Sequence, residues 1–164
     1  MVYTDIIKTF GDLVVADILN TDPFKATSDT PMVEIVRMFR DHDLEGIPIV
    51  EKGILQGMAM RRDLLGIYFI PHHEIDDIEK LVRLTSLMDP SKPVKQFMDF
   101  YPITVTPTYK ASRLAQLMLK NDIFIFPVIR GKKRYFSKTK KEFLGIVTLA
   151  DMVPLLYGAI VRGE

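Results

Sequence analysis

The chain repeats itself at a constant offset, and this internal repeat restricts the possible folds more than any other feature. Asp17–Val50 aligns without a gap with Gln96–Ile129, 79 positions further on. The identical pairs are Pro23 and Pro102, Thr27 and Thr106, Asp43 and Asp122, and Pro48 and Pro127. Beyond a longer turn in the second copy, Gly57–Asp63 aligns with Gly145–Asp151. Two copies of one unit can form a single core with two-fold symmetry.

Composition indicates a compact cytoplasmic protein. The 164 residues are 48% hydrophobic, which suits one domain or two small units that share a core. The absence of cysteine excludes disulfides, thiolate metal sites and cysteine nucleophiles, and it fits a reducing compartment. Asp5 and Lys8 interrupt the apolar stretch that a signal peptide requires, and apolar runs such as Leu64–Ile70 are too short to span a bilayer. We therefore expect a soluble, unprocessed protein with no membrane partner.

Each copy is predicted to fold in the order β-α-β-β-α. In the first copy the predicted elements are a strand over Phe24–Thr27, a helix that starts at Thr30-Pro31 with Thr30 as its cap, strands over Gly46–Val50 and Ile54–Met58 around a turn at Glu51-Lys52-Gly53, and a helix opened by Asp63. The buried face of the first helix is predicted to be Met32, Ile35, Val36 and Phe39. In the second copy they are strand Ile103–Thr106, a helix carrying Ala111, Leu114, Ala115 and Met118, strand Phe124–Ile129, a long hairpin and strand Phe143–Val147.

The repeat divides the chain into four segments, which are an N-terminal segment 1–14, the first repeat 15–70, a connector 71–93 and the second repeat 94–164. The connector carries apolar residues at helical spacing, namely Ile75, Ile78, Leu81, Val82 and Met88. It is predicted to be a helical insert that covers the core or a dimer seam, and a ligand lid is the alternative.

The second repeat contains an extended basic hairpin, residues 130–143, whose turn is nine residues longer than that of the first copy. Arg130–Lys141 holds seven basic residues and no acidic residue, although the net charge of the whole chain is only +1. Basic side chains with interleaved aromatic rings can bind nucleic acid or an acidic protein. The candidate contacts are Lys132, Lys133, Arg134, Lys138, Lys140 and Lys141. The alternative is a solvated hairpin kept soluble by its charge.

Thr148 and Asp151 lie where the last predicted strand runs into the final helix. A hydroxyl, a carboxylate and the unpaired N–H groups of a helix N-terminus then meet at one place, which suits a ribose and a phosphate. The same Thr-x-x-Asp spacing is close to a capping box, in which both side chains serve the helix itself. Local sequence leaves both interpretations open.

The sequence offers neither a catalytic constellation nor a metal site. His42, His72 and His73 have no cysteine and no histidine at helical i+4 spacing as a partner. No serine lies in a nucleophile elbow, and no glycine-rich phosphate loop of the Walker type is present. We expect no enzymatic activity and no catalytic cofactor.

Three elements occur in the same order in both copies. They are the openings Asp17-Ile18-Leu19 and Gln96-Phe97-Met98, the strands Ile47-Pro48-Ile49-Val50 and Phe126-Pro127-Val128-Ile129, and the two glycine-to-aspartate segments. Through them nearly the whole chain resembles a tandem pair of cystathionine-β-synthase (CBS) domains, the arrangement called a Bateman module. The resemblance implies an α/β (α+β) fold in which two β-α-β-β-α repeats pack with pseudo-two-fold symmetry around two clefts. It also implies a homodimer that binds AMP, ADP, ATP or S-adenosylmethionine and regulates another protein.

In such modules each cleft combines the aspartate of one repeat with the first strand and the pre-proline residues of the other. The residues implied for cleft one are Thr148, Asp151, Phe24, Lys25, Leu44, Glu45 and Gly46. Those implied for cleft two are Asp63, Arg61, Arg62, Ile103, Thr104, Phe124 and Ile125, with both arginines near any phosphate. Met60 departs from the pattern, because it stands where serine or threonine is usual and supplies neither a hydroxyl nor a helix cap. Glu45 would oppose a polyphosphate in cleft one.

The sequence therefore favours a stand-alone sensory module, with an adenosyl ligand as its regulatory signal and energy sensing as its role. A ligand that bridges the repeats would shift the population of their arrangements. Val153, Leu155, Leu156 and Ile160 would supply an apolar stripe for the dimer or for the core. The alternative function is an interaction module that binds nucleic acid or an acidic protein through the basic hairpin while both clefts stay empty.

Overall fold

The computed structural model describes residues 11–69, 89–131 and 141–161, and within them the chain is a mixed α+β protein. Its main helices are α1 (Met32–Asp41), α2 (Arg61–Phe69), α3 (Ala111–Asn121) and α4 (Leu149–Val161). Its strands are β1 (Gly46–Glu51), β2 (Ile54–Met60), β3 (Ile125–Arg130) and β4 (Glu142–Thr148). Single 3₁₀ turns cover Val15–Asp17 and Val94–Gln96. The predicted α/β (α+β) class is confirmed.

The described residues separate into two compact units. The first unit comes from 24–102, and the second comes from 1–23 together with 103–164. In the first unit the N–H of Val94 donates to the carbonyl of Thr30 at 2.8 Å, and in the second the N–H of Val15 donates to the carbonyl of Tyr109 at 2.9 Å. The opening segment of each sequence repeat thus completes the unit that the other repeat builds.

The first unit places α1 and α2 around the β1-β2 hairpin. The two strands pair antiparallel with Gly46 opposite Met60. The predicted turn between them is present, and Lys52 and Gly53 have positive φ angles of 50° and 77°. The buried core of this unit is Ala26, Met32, Ile35, Ile47, Ile49, Ala59, Leu64, Val94 and Met98.

The second unit repeats this plan with α3, β3, β4 and α4. Strands β3 and β4 pair antiparallel with Ile125 opposite Thr148. The predicted face of α3 is buried at Ala111, Leu114 and Met118, while Ala115 is partly buried. The buried core is Val15, Val105, Ala111, Leu114, Met118, Phe126, Val128, Val147 and Met152.

The predicted strands at Phe24–Thr27 and Ile103–Thr106 are shorter than expected, because each forms a single parallel bridge. Ala26 pairs with Ile49, and Val105 pairs with Val128. The next rung of each ladder would need an N–H from Pro48 or Pro127, and proline has none. The prolines that mark the repeat therefore prevent each ladder from extending back to Phe24 or Ile103. On the other side of the first bridge, the N–H of Ser28 donates to the side chain of Glu51 at 3.2 Å.

The predicted cap of the first helix is wrong. Helix α1 starts at Met32, Pro31 is its N-cap, and no side chain caps it. The hydroxyl of Thr30 instead accepts the N–H of Thr27 at 3.0 Å. The first helical N–H groups, of Met32 and Val33, donate to the carbonyls of residues 92 and 90 at 2.8 and 2.9 Å. The end of the connector thus caps α1. The connector residues on which its predicted helix depends, Ile75, Ile78, Leu81, Val82 and Met88, lie outside the described residues.

Two glycines allow the backbone of each opening segment to cross a strand at close range. In the second unit, Asn20 and Ile146 exchange two backbone hydrogen bonds of 3.0 Å. A Cβ on Gly145 would lie 2.1 Å from the carbonyl oxygen of Asn20. The first unit repeats the arrangement, because a Cβ on Gly57 would lie 2.4 Å from the carbonyl oxygen of Asp99. The glycine of each repeated segment is therefore required by packing.

Replacing Gly145 by alanine should lower the free energy of unfolding by about 2–3 kcal/mol, because the new methyl group collides with backbone that cannot move freely. Urea denaturation followed by circular dichroism measures this. Gly131→Ala is the control, since a Cβ there meets no atom within 4 Å, and it should change the stability by less than about 0.5 kcal/mol. Equal stability of the two variants would contradict a tight crossing at Gly145.

Candidate functional site

Thr148 and Asp151 form a reciprocal hydrogen-bonded pair where β4 runs into α4. The Thr148 N–H donates to Asp151 Oδ2 at 2.7 Å, and the Thr148 hydroxyl donates to the same oxygen at 2.8 Å. The Asp151 N–H in turn donates to Thr148 Oγ1 at 3.4 Å. This is the capping box that the spacing allowed. Both side chains are partly exposed, and Asp151 Oδ1 accepts no hydrogen bond from the described residues.

The equivalent junction of the first unit has no such pair. Here β2 ends at Met60, and Asp63 lies exposed in the first turn of α2. Met60 has no hydroxyl to offer, as the sequence indicated. Within the described residues, the Asp63 carboxylate takes part in no hydrogen bond or ion pair.

One backbone hydrogen bond occurs at both junctions. The N–H of Leu149 donates to the carbonyl of Phe124 at 3.0 Å, and the N–H of Arg61 donates to the carbonyl of Glu45 at 3.2 Å. Each bond joins the first residue of a helix, α2 or α4, to the residue that precedes a strand, β1 or β3. The structure thereby brings Phe124 and Ile125 beside Thr148, and Glu45 and Gly46 beside Arg61.

Arg61 lies in an ion cluster that the sequence reasoning missed. Its Nη2 donates to Glu45 Oε1 at 2.6 Å, and its Nη1 donates to Asp43 Oδ1 at 2.9 Å. Arg61 was assigned to cleft two and Glu45 to cleft one, yet both lie in the first unit and contact each other. Gly46 pairs with Met60 in the antiparallel register, so the adjacent residues Glu45 and Arg61 lie side by side. This register could have predicted their contact.

Phe24 is 48% exposed, and its ring stacks on that of His42 with 4.1 Å between centroids and 29° between planes. His42 follows the last residue of α1, and sequence reasoning gave it no role. Lys25 is exposed and Leu44 is partly buried. The first unit thus contains a stacked pair of rings at Phe24 and His42 in addition to the Arg61 ion cluster.

The residues named for each cleft are distributed over both units. Cleft one takes Thr148 and Asp151 from the second unit and Phe24, Lys25, Leu44, Glu45 and Gly46 from the first. Cleft two takes Asp63, Arg61 and Arg62 from the first unit and Ile103, Thr104, Phe124 and Ile125 from the second. Ile103 is exposed, Thr104 and Phe124 are partly buried and Ile125 is buried. The assembly of these groups into clefts remains a prediction.

An apolar groove of about 600 Å³ runs between α1 and α2 in the first unit. Its lining is Val33, Val36, Phe39, Arg40, Arg61, Leu64, Leu65 and Pro90. Met32 and Ile35 of the predicted helix face are fully buried, but the predicted burial of Val36 is wrong, since 41% of it is exposed. At the groove edge, the hydrogen bond to Asp41 raises the pKa of Arg40 above its ordinary value.

Helix α4 carries an exposed apolar stripe. Leu149, Val153, Tyr157 and Val161 recur every four residues and are each at least 43% exposed. Val153, which was predicted to belong to a dimer stripe, lies in this set, and Leu155 is partly buried. The side chains of the other two predicted members, Leu156 and Ile160, lie outside the described residues.

The basic hairpin lies largely outside the described residues. Five of its six candidate contacts are among the residues that are not described, namely Lys132, Lys133, Arg134, Lys138 and Lys140. At its base, Arg130 forms an exposed ion pair with Glu142 at 3.4 Å, and Lys141 is partly buried.

Within 11–69, 89–131 and 141–161, no group of three histidine, aspartate or glutamate side chains is placed to hold a metal ion. In the same ranges, the helices are too short or too polar to cross a bilayer.

The CBS domain family model matches two segments, residues 15–69 and 94–158. The CBS domain-containing protein YhcV of Bacillus subtilis is 23% identical over 139 residues, which cover 84% of this chain and 81% of YhcV. The CBS domain pair of protein MJ0100, solved with 5′-methylthioadenosine and S-adenosylmethionine, is 23% identical with a TM-score of 0.60, covering 89% of this chain and 97% of that one. CBSX2, solved with AMP, is 18% identical with a TM-score of 0.67, covering 92% and 98%.

Replacing Thr148 by valine should lower the free energy of unfolding by about 1 kcal/mol, because α4 loses the hydroxyl of its capping box. Thermal and urea unfolding give this value. Thr21→Val removes the hydroxyl of an exposed threonine for which the structure shows no side-chain hydrogen bond, so its stability should stay close to that of the parent. Equal losses in the two variants would contradict a structural role for the Thr148–Asp151 pair.

Proposed function

This chain belongs to the CBS domain family, and on that premise we propose that it is a regulatory module that binds an adenosyl ligand at its strand-to-helix junctions. The proposed ligands are AMP, ADP, ATP and S-adenosylmethionine. The observation that carries the proposal is the Thr148–Asp151 pair, because it joins a carboxylate and a hydroxyl at the N-terminus of a helix and leaves both partly exposed. The homologous pair of protein MJ0100 and the protein CBSX2 bind ligands of this class.

The chemistry of Asp151 suits the ribose of such a ligand. A carboxylate accepts hydrogen bonds only and has about four lone-pair directions, of which the capping box uses those at Oδ2. Oδ1 can therefore accept from a ribose hydroxyl while the helix cap stays in place. The helix dipole gives the N-terminus of α4 a partial positive charge, which favours an anion nearby. Capping and ligand binding are thus compatible at this junction.

The second proposed position lies at Asp63. Its carboxylate is exposed and can receive ribose hydroxyls without giving up a helix cap. Arg61 and Arg62 would meet the phosphate, since guanidinium groups bind phosphate through paired, charge-assisted hydrogen bonds. Arg61 would first have to leave Asp43 or Glu45, which lowers its net contribution.

The proposed regulation is a population shift. A ligand that contacts groups from both repeats favours the arrangement of the repeats that it binds more tightly, by the difference between its two affinities. The module itself needs no catalytic group for this. Its regulated target would read the changed arrangement.

A homodimer is part of the proposal, and the exposed stripe of α4 supports it. Four apolar side chains along one helix face are unfavourable in water unless another surface covers them. A second copy of the chain would bury two such stripes at once, since closed two-fold interfaces use the same patch on both subunits.

Ligand binding can be tested by isothermal titration with AMP, ADP, ATP and S-adenosylmethionine. We expect at least one to bind, and we expect Asp151→Asn or Asp63→Asn to weaken it about tenfold or more, the size of one lost charge-assisted hydrogen bond. Asparagine is chosen because its amide oxygen can keep the helix cap that alanine would remove.

Asp12→Asn is the control for these variants, because Asp12 is exposed and makes no hydrogen bond that the described residues show. The proposal fails if folded, nucleotide-free protein binds none of the four ligands, or if both junction variants bind as tightly as Asp12→Asn. In the first case the basic hairpin would become the better guide, and salt-dependent binding of RNA or DNA would be measured next.

The dimer can be tested by light scattering after gel filtration. The parent protein should elute at twice the chain mass of 18.8 kDa, and Val153→Lys should shift it toward the monomer because a charge then interrupts the stripe. Leu119→Lys makes the same change at an exposed position on α3, outside the stripe, and should remain dimeric. A monomeric parent, or equal masses for both variants, would contradict the proposed interface.

A further inference from the structure

One face of α3, in the second unit, forms a shallow concavity of about 230 Å³. Its lining is Tyr109, Arg113, Gln116, Leu117 and Lys120. The last four follow the i, i+3, i+4, i+7 spacing of a single helix face, and the first lies just before the helix. None of these residues belongs to a strand-to-helix junction, so the concavity is separate from the ligand positions proposed above.

The concavity carries two cations that the fold does not pair. Arg113 and Lys120 are exposed, and neither side chain forms an ion pair or a hydrogen bond among the described residues. Helix α3 itself contains no aspartate or glutamate. Over its whole sequence, 1–23 with 103–164, the second unit has twelve basic and eight acidic residues, whereas the first has ten and thirteen. The charge of the α3 face is therefore not balanced within its own unit.

The internal repeat shows that the fold does not require cations at these positions. Arg113 aligns with Glu34 of α1. Lys120 aligns with Asp41, which Arg40 pairs at 2.6 Å. Both helices pack into the core of their unit, although equivalent exposed positions carry charges of opposite sign. Core packing thus tolerates either sign there, and the basic face of α3 needs an explanation other than folding.

The chemistry of this face favours an acidic protein segment over a nucleic acid. Tyr109 and Leu117 are partly buried and pack against the core, so they add apolar and aromatic surface to the concavity. Exposed arginine beside tyrosine and apolar side chains is typical of protein interfaces. Salt-sensitive nucleic-acid binding of useful strength draws on about six to ten phosphate contacts, which is more than two cations provide.

We propose that this face of α3 is a docking surface for an acidic segment of a partner protein. Two carboxylates of the segment would bind Arg113 and Lys120, which lie about 10 Å apart along the helix axis. An apolar side chain between the carboxylates would pack on Tyr109 and Leu117. The surface gives a chemistry to the partner that the proposed regulation requires, and docking itself needs no adenosyl ligand.

The test is an NMR titration of the ¹⁵N-labelled full chain at low salt. The probe is a short helical peptide with glutamates at positions i and i+7 and leucines at i+3 and i+4, so that it matches the spacing on α3. We expect shifts concentrated in the amides of Ala111–Asn121, with a dissociation constant of about 1 mM or tighter. The same peptide with glutamine in place of both glutamates should bind about tenfold more weakly, and added salt should weaken the parent interaction.

Charge reversal on the protein gives the complementary measurement. Arg113→Glu combined with Lys120→Glu should weaken the acidic peptide about tenfold or more, because both contacts become repulsive. Arg113→Gln combined with Lys120→Gln should give an intermediate loss and guards against a fold defect in the reversed variant. Arg37→Glu is the matched control, since it makes the same charge change at an exposed position of α1 that aligns with Gln116. It should bind the peptide as the parent does.

The docking surface would be overturned if the α3 amides do not shift at peptide concentrations of about 5 mM, or if the reversed variant binds as tightly as Arg37→Glu. It would also be overturned if a short oligouridine shifts these amides and the peptide does not, because the partner would then be a nucleic acid. Titration with AMP separates this outcome from the proposed function. The reversed variant should bind AMP as the parent does, and a parent that binds the peptide but no adenosyl ligand would contradict the proposed function alone.

Discussion

The backbone crossing beside Gly145, and its repeat beside Gly57, is the contact on which the architecture depends. It pairs each opening segment with the last strand of a unit through two backbone hydrogen bonds. Only a residue without Cβ permits this approach, because the opposing carbonyl oxygen lies where the first side-chain atom would be. The crossing leads Val15 and Val94 into positions where neither is exposed to solvent. Each core is thus closed by residues from the other sequence repeat.

A second constraint comes from the prolines at positions 48 and 127. Because neither can donate a backbone hydrogen bond, the bridges that Ala26 and Val105 form with β1 and β3 cannot extend to the preceding rung. The carbonyls of Phe24 and Ile103 therefore have no ladder partner at these prolines. The family resemblance implies Phe24 for one cleft and Ile103 for the other, so the proline that marks the repeat also keeps these two residues out of the sheet.

The candidate site shows how one set of side chains can serve the fold and a ligand. Asp151 caps α4 through Oδ2 and keeps Oδ1 outside the hydrogen bonds of the described residues. The first unit differs, because Met60 stands at the position of Thr148 and has no hydroxyl. Among the described residues, Asp63 takes part in no helix cap. The repeat therefore preserves the carboxylate at both junctions and changes the groups around it. Divergence between two equivalent junctions permits two different ligand preferences within one chain.

Much of the fold followed from the sequence because its signals are local or repeated. Hydrophobic periodicity placed α1 and α3, the Lys52-Gly53 turn fixed one hairpin, and the offset of the repeat placed the remaining elements by comparison. The errors have tertiary causes. Thr30 is a good cap by its type, but the carbonyls of residues 90 and 92 occupy the start of α1 instead. Val36 fits the helical period, yet it lies at the edge of a groove.

The sequence by itself determined the family, the number of units and the pair of aspartates at the strand-to-helix junctions, because these depend on residue type and spacing along the chain. Only the tertiary structure decided which segment completes which unit, that Asp151 and Thr148 cap α4, and that Arg61 binds Glu45 and Asp43. Those contacts depend on distances between atoms, and the folded backbone fixes these distances. Residue spacing alone leaves several partners open for each side chain.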